Sequence, residues 1–328
     1  MLNFLIRRVT YMVITVVFIS FISFIIVELP KGTFLDVRLE QLRQQGGNIS
    51  EDQIQELVDR YGLYDPFYVK YWKWVSKFVQ GDFGESFAMN RPVADLIWSR
   101  LGFTLGLSLF SLVFSWGISI PLGVYSATHR YTFWDYVLSI FQFVGLAIPS
   151  FLLALVLVLF AIKVLQQKHV IGLFSDEFQN APWSWPKFAD MLKHLWIPVV
   201  ILALTSTAWL TRVMRGNLLD ILNMQYVQTA RAKGLGEQVV IWKHAVRNAI
   251  HPLVMALGQS LPFLISGGTL IEQVLNLPSA GPLMFQSMMN QDIYLAVTFL
   301  TMICLAIVVG NFLADLLLAW VDPRIRLE

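Results

Sequence analysis

Six long apolar runs constrain the fold of this 328-residue chain more than any other feature of its sequence. A helix needs roughly 18 or more apolar residues to cross about 30 Å of hydrocarbon. The runs lie at residues 9–29, 103–127, 137–165, 195–214, 252–271 and 295–321. Only 14% of the residues in the chain are charged, whereas about 25% are charged in soluble domains. The sequence therefore predicts an all-α integral membrane protein with six transmembrane helices, of which the proline-containing third and fifth are candidates for kinks.

The first run follows Arg7 and Arg8 and allows two interpretations, a membrane anchor or a secretory signal peptide. A signal peptide has an apolar core of about 7–15 residues and a cleavage site with small residues. The run at 9–29 is longer than that core, and no such site closes it. We therefore interpret it as the first transmembrane helix.

Basic residues in the short loops predict the orientation, because Lys and Arg accumulate on the cytoplasmic side. The segments 1–8, 129–135, 215–251 and 322–328 all contain Arg, whereas the loop 272–294 contains neither Lys nor Arg. Three lysines in the predicted outer loop 166–194 weaken this difference in charge between the two sides. An even number of spans, however, agrees with placing both termini on the same side. We expect both termini to be cytoplasmic. The chain then divides into an N-terminal segment with helix 1 (1–29), a long extracytoplasmic segment (30–100) and a five-helix core (101–328) with a cytoplasmic loop at 215–251 between helices 4 and 5.

Two stretches of the extracytoplasmic segment have helical character. Residues 50–61 are polar, with Ser50 suited to the N-cap and Gly62 to the stop. Residues 67–78 are rich in aromatic side chains, and Gly81 and Gly84 then indicate a turn. The aromatic stretch is typical of an amphipathic helix at the membrane interface, and equally of a contact with a substrate or partner.

The motifs of common enzymes are absent from the sequence. It contains no Gly-x4-Gly-Lys-Ser/Thr loop for ATP, no His-Glu-x-x-His and no Gly-x-Ser-x-Gly. The single cysteine excludes a disulfide framework, and a net charge of +2 gives no reason to expect a nucleic-acid partner. Ionisable residues are also scarce within the apolar runs, which disfavours an ion-coupled carrier. We expect a membrane protein without catalytic, cofactor or metal sites.

The predicted loop 215–251 contains a pattern that suits a rigid contact with a partner. A short helix with small residues is predicted over 225–233, Gly234 is suited to a left-handed helix stop, and a second helix begins near Glu237. Small residues allow a partner to approach closely, and the glycine fixes the angle between the two helices. We therefore expect a helix–glycine–helix hairpin to dock on another protein.

These residues resemble the coupling loop of the permease subunits of binding-protein-dependent ABC importers. The general pattern Glu-Ala-Ala-x3-Gly appears at 228–234 as Gln-Thr-Ala-x3-Gly, without the Glu and the first Ala. The sequences TARAKGL at 229–235 and HAVRNA at 244–249 are similar to the dipeptide/oligopeptide/nickel branch. The resemblance extends to YGL at 61–63, GDFGES at 81–86, RPV at 91–93 and DPRIR at 322–326, while LPSAG at 277–281 departs slightly from the usual form.

The resemblance implies the first of two homologous permease subunits in a bacterial or archaeal cytoplasmic membrane. Its partners would be a second permease subunit, two ATPase subunits that supply the energy, and an extracytoplasmic binding protein that delivers the solute for alternating access. The implied ATPase contact consists of Tyr226, Thr229, Ala230, Arg231, Ala232, Lys233, Gly234, Leu235 and Glu237, with Ala230 and Gly234 critical for the fit. The branch implies oligopeptides or dipeptides as substrates; oligosaccharides, nickel and opines are alternatives within the same machinery, and a secondary carrier is the alternative outside it.

Overall fold

The computed structural model describes residues 2–29, 65–167 and 169–321. The predicted helix at 50–61, the motif at 61–63 and the tail 322–328 lie outside the described residues. The helices in chain order are α1 Leu2–Glu28, α2 Phe67–Phe78, α3 Val93–Thr128, α4 Phe133–Ala147, α5 Ser150–Lys163, α6 Trp185–Leu222, α7 Gln225–Ala232, α8 Glu237–Val239, the π-helical segment π1 Val240–Ala245, α9 Val246–Ala249, α10 His251–Ser266, α11 Thr269–Val274, α12 Ala280–Met289 and α13 Ile293–Val321. Strands β1 (Glu85–Ser86) and β2 (Arg91–Pro92) form a short antiparallel ladder.

Within the described residues, five stretches of helix are long and apolar enough to cross a membrane, and a bent pair of helices brings the number to six. They are Thr10–Glu28, Val93–Thr128, Trp185–Leu222, His251–Val274 and Ile293–Ala314, with α4 and α5 as the pair. The protein is therefore an all-helical membrane protein with five to six candidate spans, as its apolar runs predict.

The third apolar run is not one straight helix. It divides at Ile148 and Pro149, where α4 and α5 meet at a bend of 106°. Proline offers no backbone N–H to the helix and disfavours helical geometry in the residue before it. Accordingly, Ile148 is extended, with φ −84° and ψ 124°. The fifth run is interrupted in a similar way, because α10 ends at Gly267, whose φ is +58°.

The chain folds as two compact units, which combine residues 1–104 with 279–308 and residues 105–278 with 309–328. In the first unit, one face of α2 packs on α1 through aromatic side chains. The rings of Phe24 and Trp74 lie 5.9 Å apart, and those of Phe21 and Tyr71 lie 5.2 Å apart. The predicted aromatic helix therefore exists and uses one face for packing within the chain, while Tyr68 and Trp72 on its other face are exposed.

The loop after α2 is held by a buried carboxylate of the same unit. Asp292, just before α13, accepts hydrogen bonds from the Ser86 hydroxyl (2.5 Å) and the Ala88 backbone N–H (3.2 Å). The predicted turn is present, because Gly81 and Gly84 both have positive φ. Close contact between Gly84 and the Tyr294 ring leaves little space for a side chain at position 84.

In the second unit, α4 and α5 pack along α6, and Val124 of α3 meets Leu210 and Met214 of α6 in the main apolar core. The α3 face that contains Ser108, Ser111 and Ser115 is buried, and the Ser115 hydroxyl donates to the backbone carbonyl of Ala203 in α6 (3.2 Å). The α6 helix continues to Leu222, eight residues beyond the predicted end of its apolar run at 214. The loop that the sequence assigns to 215–251 therefore begins with two further turns of α6.

Candidate functional site

The hairpin predicted from the sequence is present after α6. We call residues 225–239, which comprise α7, the connecting glycine turn and α8, the coupling hairpin. Its first helix ends in a Schellman arrangement, in which the Leu235 N–H donates to the Ala230 carbonyl (3.4 Å) and the Gly234 N–H donates to the Arg231 carbonyl (2.9 Å). Gly234 has φ +77°, in the region that only glycine adopts without strain.

One face of α7 packs against the chain itself. Val227 and Ala230 are buried in the core of the second unit, whose other members include Met214 and Leu218 of α6 and Val240 of π1. This core fixes the coupling hairpin to the end of the long α6 helix. Ala230 is thus a packing residue, and replacing it by a large polar side chain would disturb the hairpin before any partner binds.

The opposite face of the coupling hairpin is exposed. Tyr226 and Leu235 are each 41% exposed, and Thr229, Ala232 and Lys233 are exposed as well. The Tyr226 hydroxyl accepts a hydrogen bond of 2.7 Å from the Asn248 side chain, which ties α7 to α9. Large apolar and aromatic groups that are held rigidly at a surface are typical of protein contacts.

A bidentate ion pair joins the two arms of the hairpin. The Arg231 guanidinium donates to both carboxylate oxygens of Glu237, at 3.1 and 2.6 Å. This pairing lowers the pKa of the Glu237 carboxyl and raises that of Arg231, with hydrogen bonding as the largest cause in each case. The side chains are 34% and 54% exposed, so screening by water limits the contribution of the pair to stability to about 0.2–1 kcal/mol.

A second ion pair stabilises the base of α6. Arg215 donates to both oxygens of the buried Asp135 carboxylate, each at 3.0 Å, and the hydroxyl of Ser126 donates to the same group. The pair links α3, α4 and α6 close to the coupling hairpin. Sequence reasoning identified Arg215 only as a cytoplasmic cation, because its partner lies 80 residues earlier and no local pattern connects the two.

All nine residues predicted for the ATPase contact lie in the coupling hairpin, and their side chains divide between its two faces. Ala230 faces the core, Arg231 and Glu237 brace the turn, and Gly234 supplies the backbone conformation. The outward-facing set comprises Tyr226, Thr229, Ala232, Lys233 and Leu235. Lys243 and Arg247, which follow the hairpin, are also exposed and add positive charge to this side of the molecule.

Two family models together match nearly the whole chain. One describes the binding-protein-dependent transport system inner membrane component and matches residues 119–327. The other describes the N-terminal part of such membrane components and matches residues 1–108.

Curated relatives and one solved structure are similar to the chain. The oligopeptide transport system permease protein AppB of Bacillus subtilis is 36% identical over 99% of this chain and 100% of the relative. The glutathione transport system permease protein GsiC of Escherichia coli is 31% identical over 99% of both. The peptidoglycan transport system permease protein YejB of Agrobacterium fabrum is 30% identical over 99% of this chain and 98% of the relative. A chain of the MetNI methionine ABC transporter shares the fold, with a TM-score of 0.51 and 19% identity over 69% of this chain and 96% of that one.

Proposed function

The chain belongs to the binding-protein-dependent transport system inner membrane components, and from this premise we propose that it is the permease subunit of an ATP-driven importer of peptides. Membership in this family implies a binding protein and ATPase subunits as partners, and places the chain in the inner membrane as a multi-pass protein. The observation that carries the peptide assignment is the full-length similarity to a permease named for oligopeptides and another named for glutathione. The chain thus provides the path, and the ATPase subunits provide the energy.

Our proposal for the topology follows the sequence. The bent α4–α5 pair counts as one span, which gives six spans with both termini and the coupling hairpin in the cytoplasm. Residues 30–100 then lie on the side from which the binding protein delivers its solute. The absence of Lys and Arg from 272–294 and their presence around the hairpin support this orientation.

The coupling hairpin is our proposed contact with an ATPase subunit. Its inner face is fixed to α6 through Val227 and Ala230, which leaves Tyr226, Thr229 and Leu235 to enter a groove on the partner. Closure of two ATPase subunits on ATP would move this hairpin, together with that of a second, homologous permease subunit. A packed helix pair moves as a unit, so the displacement reaches the membrane helices.

A charge-reversal pair tests the docking surface. Lys233 on the hairpin and Arg130 in the α3–α4 loop are both exposed cations. We expect Lys233→Glu to weaken co-purification of the ATPase subunits, and Arg130→Glu, which changes the net charge equally, to leave it intact. Equal retention of the ATPase subunits by both variants would remove this surface from the contact.

Uptake by the reconstituted importer tests the substrate. Proteoliposomes would contain this chain, its partner permease and the ATPase subunits, with the binding protein outside and ATP inside. We expect ATP-dependent accumulation of labelled di- to pentapeptides. The panel also includes peptidoglycan fragments, because YejB is named for them, as well as oligosaccharides and Ni²⁺ complexes. ATP-independent uptake would instead indicate a secondary carrier.

A further inference from the structure

Two cavities within the second unit follow one another along α6 and α10. The α11 cavity, of about 320 Å³, is bordered by Gly268 to Ile271, and the α3 cavity, of about 400 Å³, is bordered by Ser111 and Trp116. Leu202, Thr205, Ser206 and Phe263 line both of them. Each volume lies within the about 300–1,000 Å³ of small-molecule sites.

The two cavities follow the same order along α6 and α10, with the α3 cavity nearer to the coupling hairpin. The α3 cavity includes Trp209 of α6 and Ala256 of α10, which lie nearer to the coupling hairpin in both helices. The α11 cavity includes Ile201 of α6 and extends past the end of α10 at Ser266. The two cavities therefore form successive compartments along the direction in which α6 and α10 cross the membrane.

Exposed polar side chains at mid-span distinguish this surface from one that faces lipid. Thr205 and Ser206 lie at the middle of α6, and Gln259 lies at the middle of α10; all three are exposed. Polar groups facing hydrocarbon are costly and occur mostly where helices line an aqueous path. Their exposure indicates that this face is wet during part of the transport cycle.

We propose that the two cavities are successive compartments of the peptide path through this chain, and that the Phe263 ring is the gate between them. This inference rests on the proposed function. Ser, Thr and Gln side chains both donate and accept hydrogen bonds, which matches the N–H and C=O groups of a peptide backbone. The described residues that line the cavities include none with a charge, so the path accepts peptides without regard to the charge of their side chains.

The position of Phe263 suits a gate. It follows Pro262, which lies inside α10 and cannot donate a backbone hydrogen bond to Gly258. The end of α10 at Gly267 comes one turn later. A segment with a missing hydrogen bond and a nearby helix end allows a small rotation of α10 to move the ring, without disrupting the longer α6 helix.

Sided labelling of single cysteines tests the gate in the assembled importer. The native Cys304 is first replaced by serine, and cysteine is introduced at Thr269, which lines only the α11 cavity, or at Gln259, which lines only the α3 cavity. A membrane-impermeant thiol reagent is then added to right-side-out or inside-out vesicles. Phe110→Cys is the control, because Phe110 is exposed on α3, lines neither cavity and lies on the helix face opposite Leu112 and Ser115.

We expect each path cysteine to react from one side only, and Phe110→Cys to react from neither. In a Phe263→Ala background, both path cysteines should lose this sidedness, whereas Phe263→Tyr should preserve it. Peptide-loaded binding protein with ATP should slow the reaction at Gln259→Cys. Labelling of the path cysteines no faster than that of Phe110→Cys would overturn the path, since a subunit or lipid would then cover this face. Unchanged sidedness with Phe263→Ala would overturn the gate.

A separate measurement tests the proposed function, namely the stimulation of ATP hydrolysis by peptide in the unmodified importer. If peptide does not stimulate hydrolysis while sidedness depends on Phe263, the peptide assignment is wrong and the gate is supported. If peptide stimulates hydrolysis while the cavities are unreactive, the importer is supported and the path through these cavities is wrong.

Discussion

Gly234 and Gly236 form a natural pair for testing whether the backbone of the coupling hairpin determines ATPase docking. No atom lies within 4 Å of a Cβ built on either residue, so an added methyl group meets no steric obstacle in the chain. They differ in backbone conformation, because Gly234 has φ +77° whereas Gly236 has φ −57°. Alanine at each position therefore isolates the effect of conformation from the effect of contacts.

The expected effects of the two alanine variants on stability differ in size. A non-glycine residue in the left-handed region costs about 1–2 kcal/mol, so Gly234→Ala should destabilise the native hairpin by that amount. Gly236→Ala should change the stability of the hairpin by no more than about 0.5 kcal/mol, because alanine restricts the unfolded chain but is a poorer N-cap for α8 than glycine. The Arg231–Glu237 pair, worth at most about 1 kcal/mol, is too weak to hold the turn against the larger strain. Asparagine tolerates the left-handed region better than alanine does, so Gly234→Asn should lie between glycine and alanine.

The assay is the Kd of the purified permease pair for its ATPase subunits, measured by titration in detergent. If docking selects the native hairpin, Gly234→Ala weakens binding about tenfold, since 1.4 kcal/mol corresponds to a factor of ten. Gly236→Ala should bind about as well as the unmodified chain. Equal Kd values for the two alanine variants would refute the reasoning, because the partner would then be indifferent to the conformation at 234.

Three further predictions concern parts of the molecule that support the site. Arg215→Ala leaves the buried Asp135 carboxylate without its cation and should lower the free energy of unfolding by about 3 kcal/mol. The double variant Arg215→Met/Asp135→Leu has no unpaired charge and should unfold at a higher temperature than Arg215→Ala. Gly258→Ala places a methyl group 2.5 Å from the Gly310 carbonyl oxygen and should lower the free energy of unfolding by about 1–3 kcal/mol. Gly106→Ala is the control, because no atom lies within 4 Å of its added Cβ, and it should raise the free energy of unfolding by up to about 1 kcal/mol. Burial raises the pKa of the Asp292 carboxyl above its usual value. Its contribution to stability is therefore fully present below the ordinary carboxyl pKa and is lost as pH rises through the folded-state pKa. The protection factor of the Ala88 amide, which is the intrinsic exchange rate divided by the observed one, should fall over that range, and Asp292→Asn should remove this fall.

The parts of the fold that could be predicted are those with local causes. Apolar runs of membrane length predict the spans, and proline explains the division at Ile148 and Pro149. The helix, glycine and second helix of the coupling hairpin also follow from adjacent residues. By contrast, Asp292 and Ser86 are 206 positions apart and Asp135 and Arg215 are 80 apart. No pattern in a single sequence pairs residues at such distances, so these contacts became visible only in the folded chain.

The faces of the coupling hairpin were harder to predict than its existence. Small residues in α7 suggested close approach by a partner, yet the small side chain of Ala230 serves the chain's own core. An eight-residue helix exposes no long apolar stripe, so its sequence does not reveal which side packs inward. The second helix, which the sequence predicts from Glu237 onward, is α-helical only to Val239 and continues beyond the hairpin as the π-helical segment Val240–Ala245. Such segments are rare, frequently occur at functional sites, and have no reliable sequence signal.

The α6 helix connects the two halves of the proposed mechanism. Met214 and Leu218 near its end pack with Val227 of the coupling hairpin, and Thr205 and Ser206 line both cavities. Leu218 follows Ser206 by 12 positions, which corresponds to about 18 Å of helix at 1.5 Å per residue. Pro198, on the far side of the cavity residues, removes one backbone hydrogen bond from α6. A push on the hairpin would therefore move the helix from Pro198 onward as one rod and shift the cavity wall with it. Strain at Gly234 should weaken ATPase docking and leave the cavities intact, whereas loss of the Phe263 ring should open the path and leave docking intact.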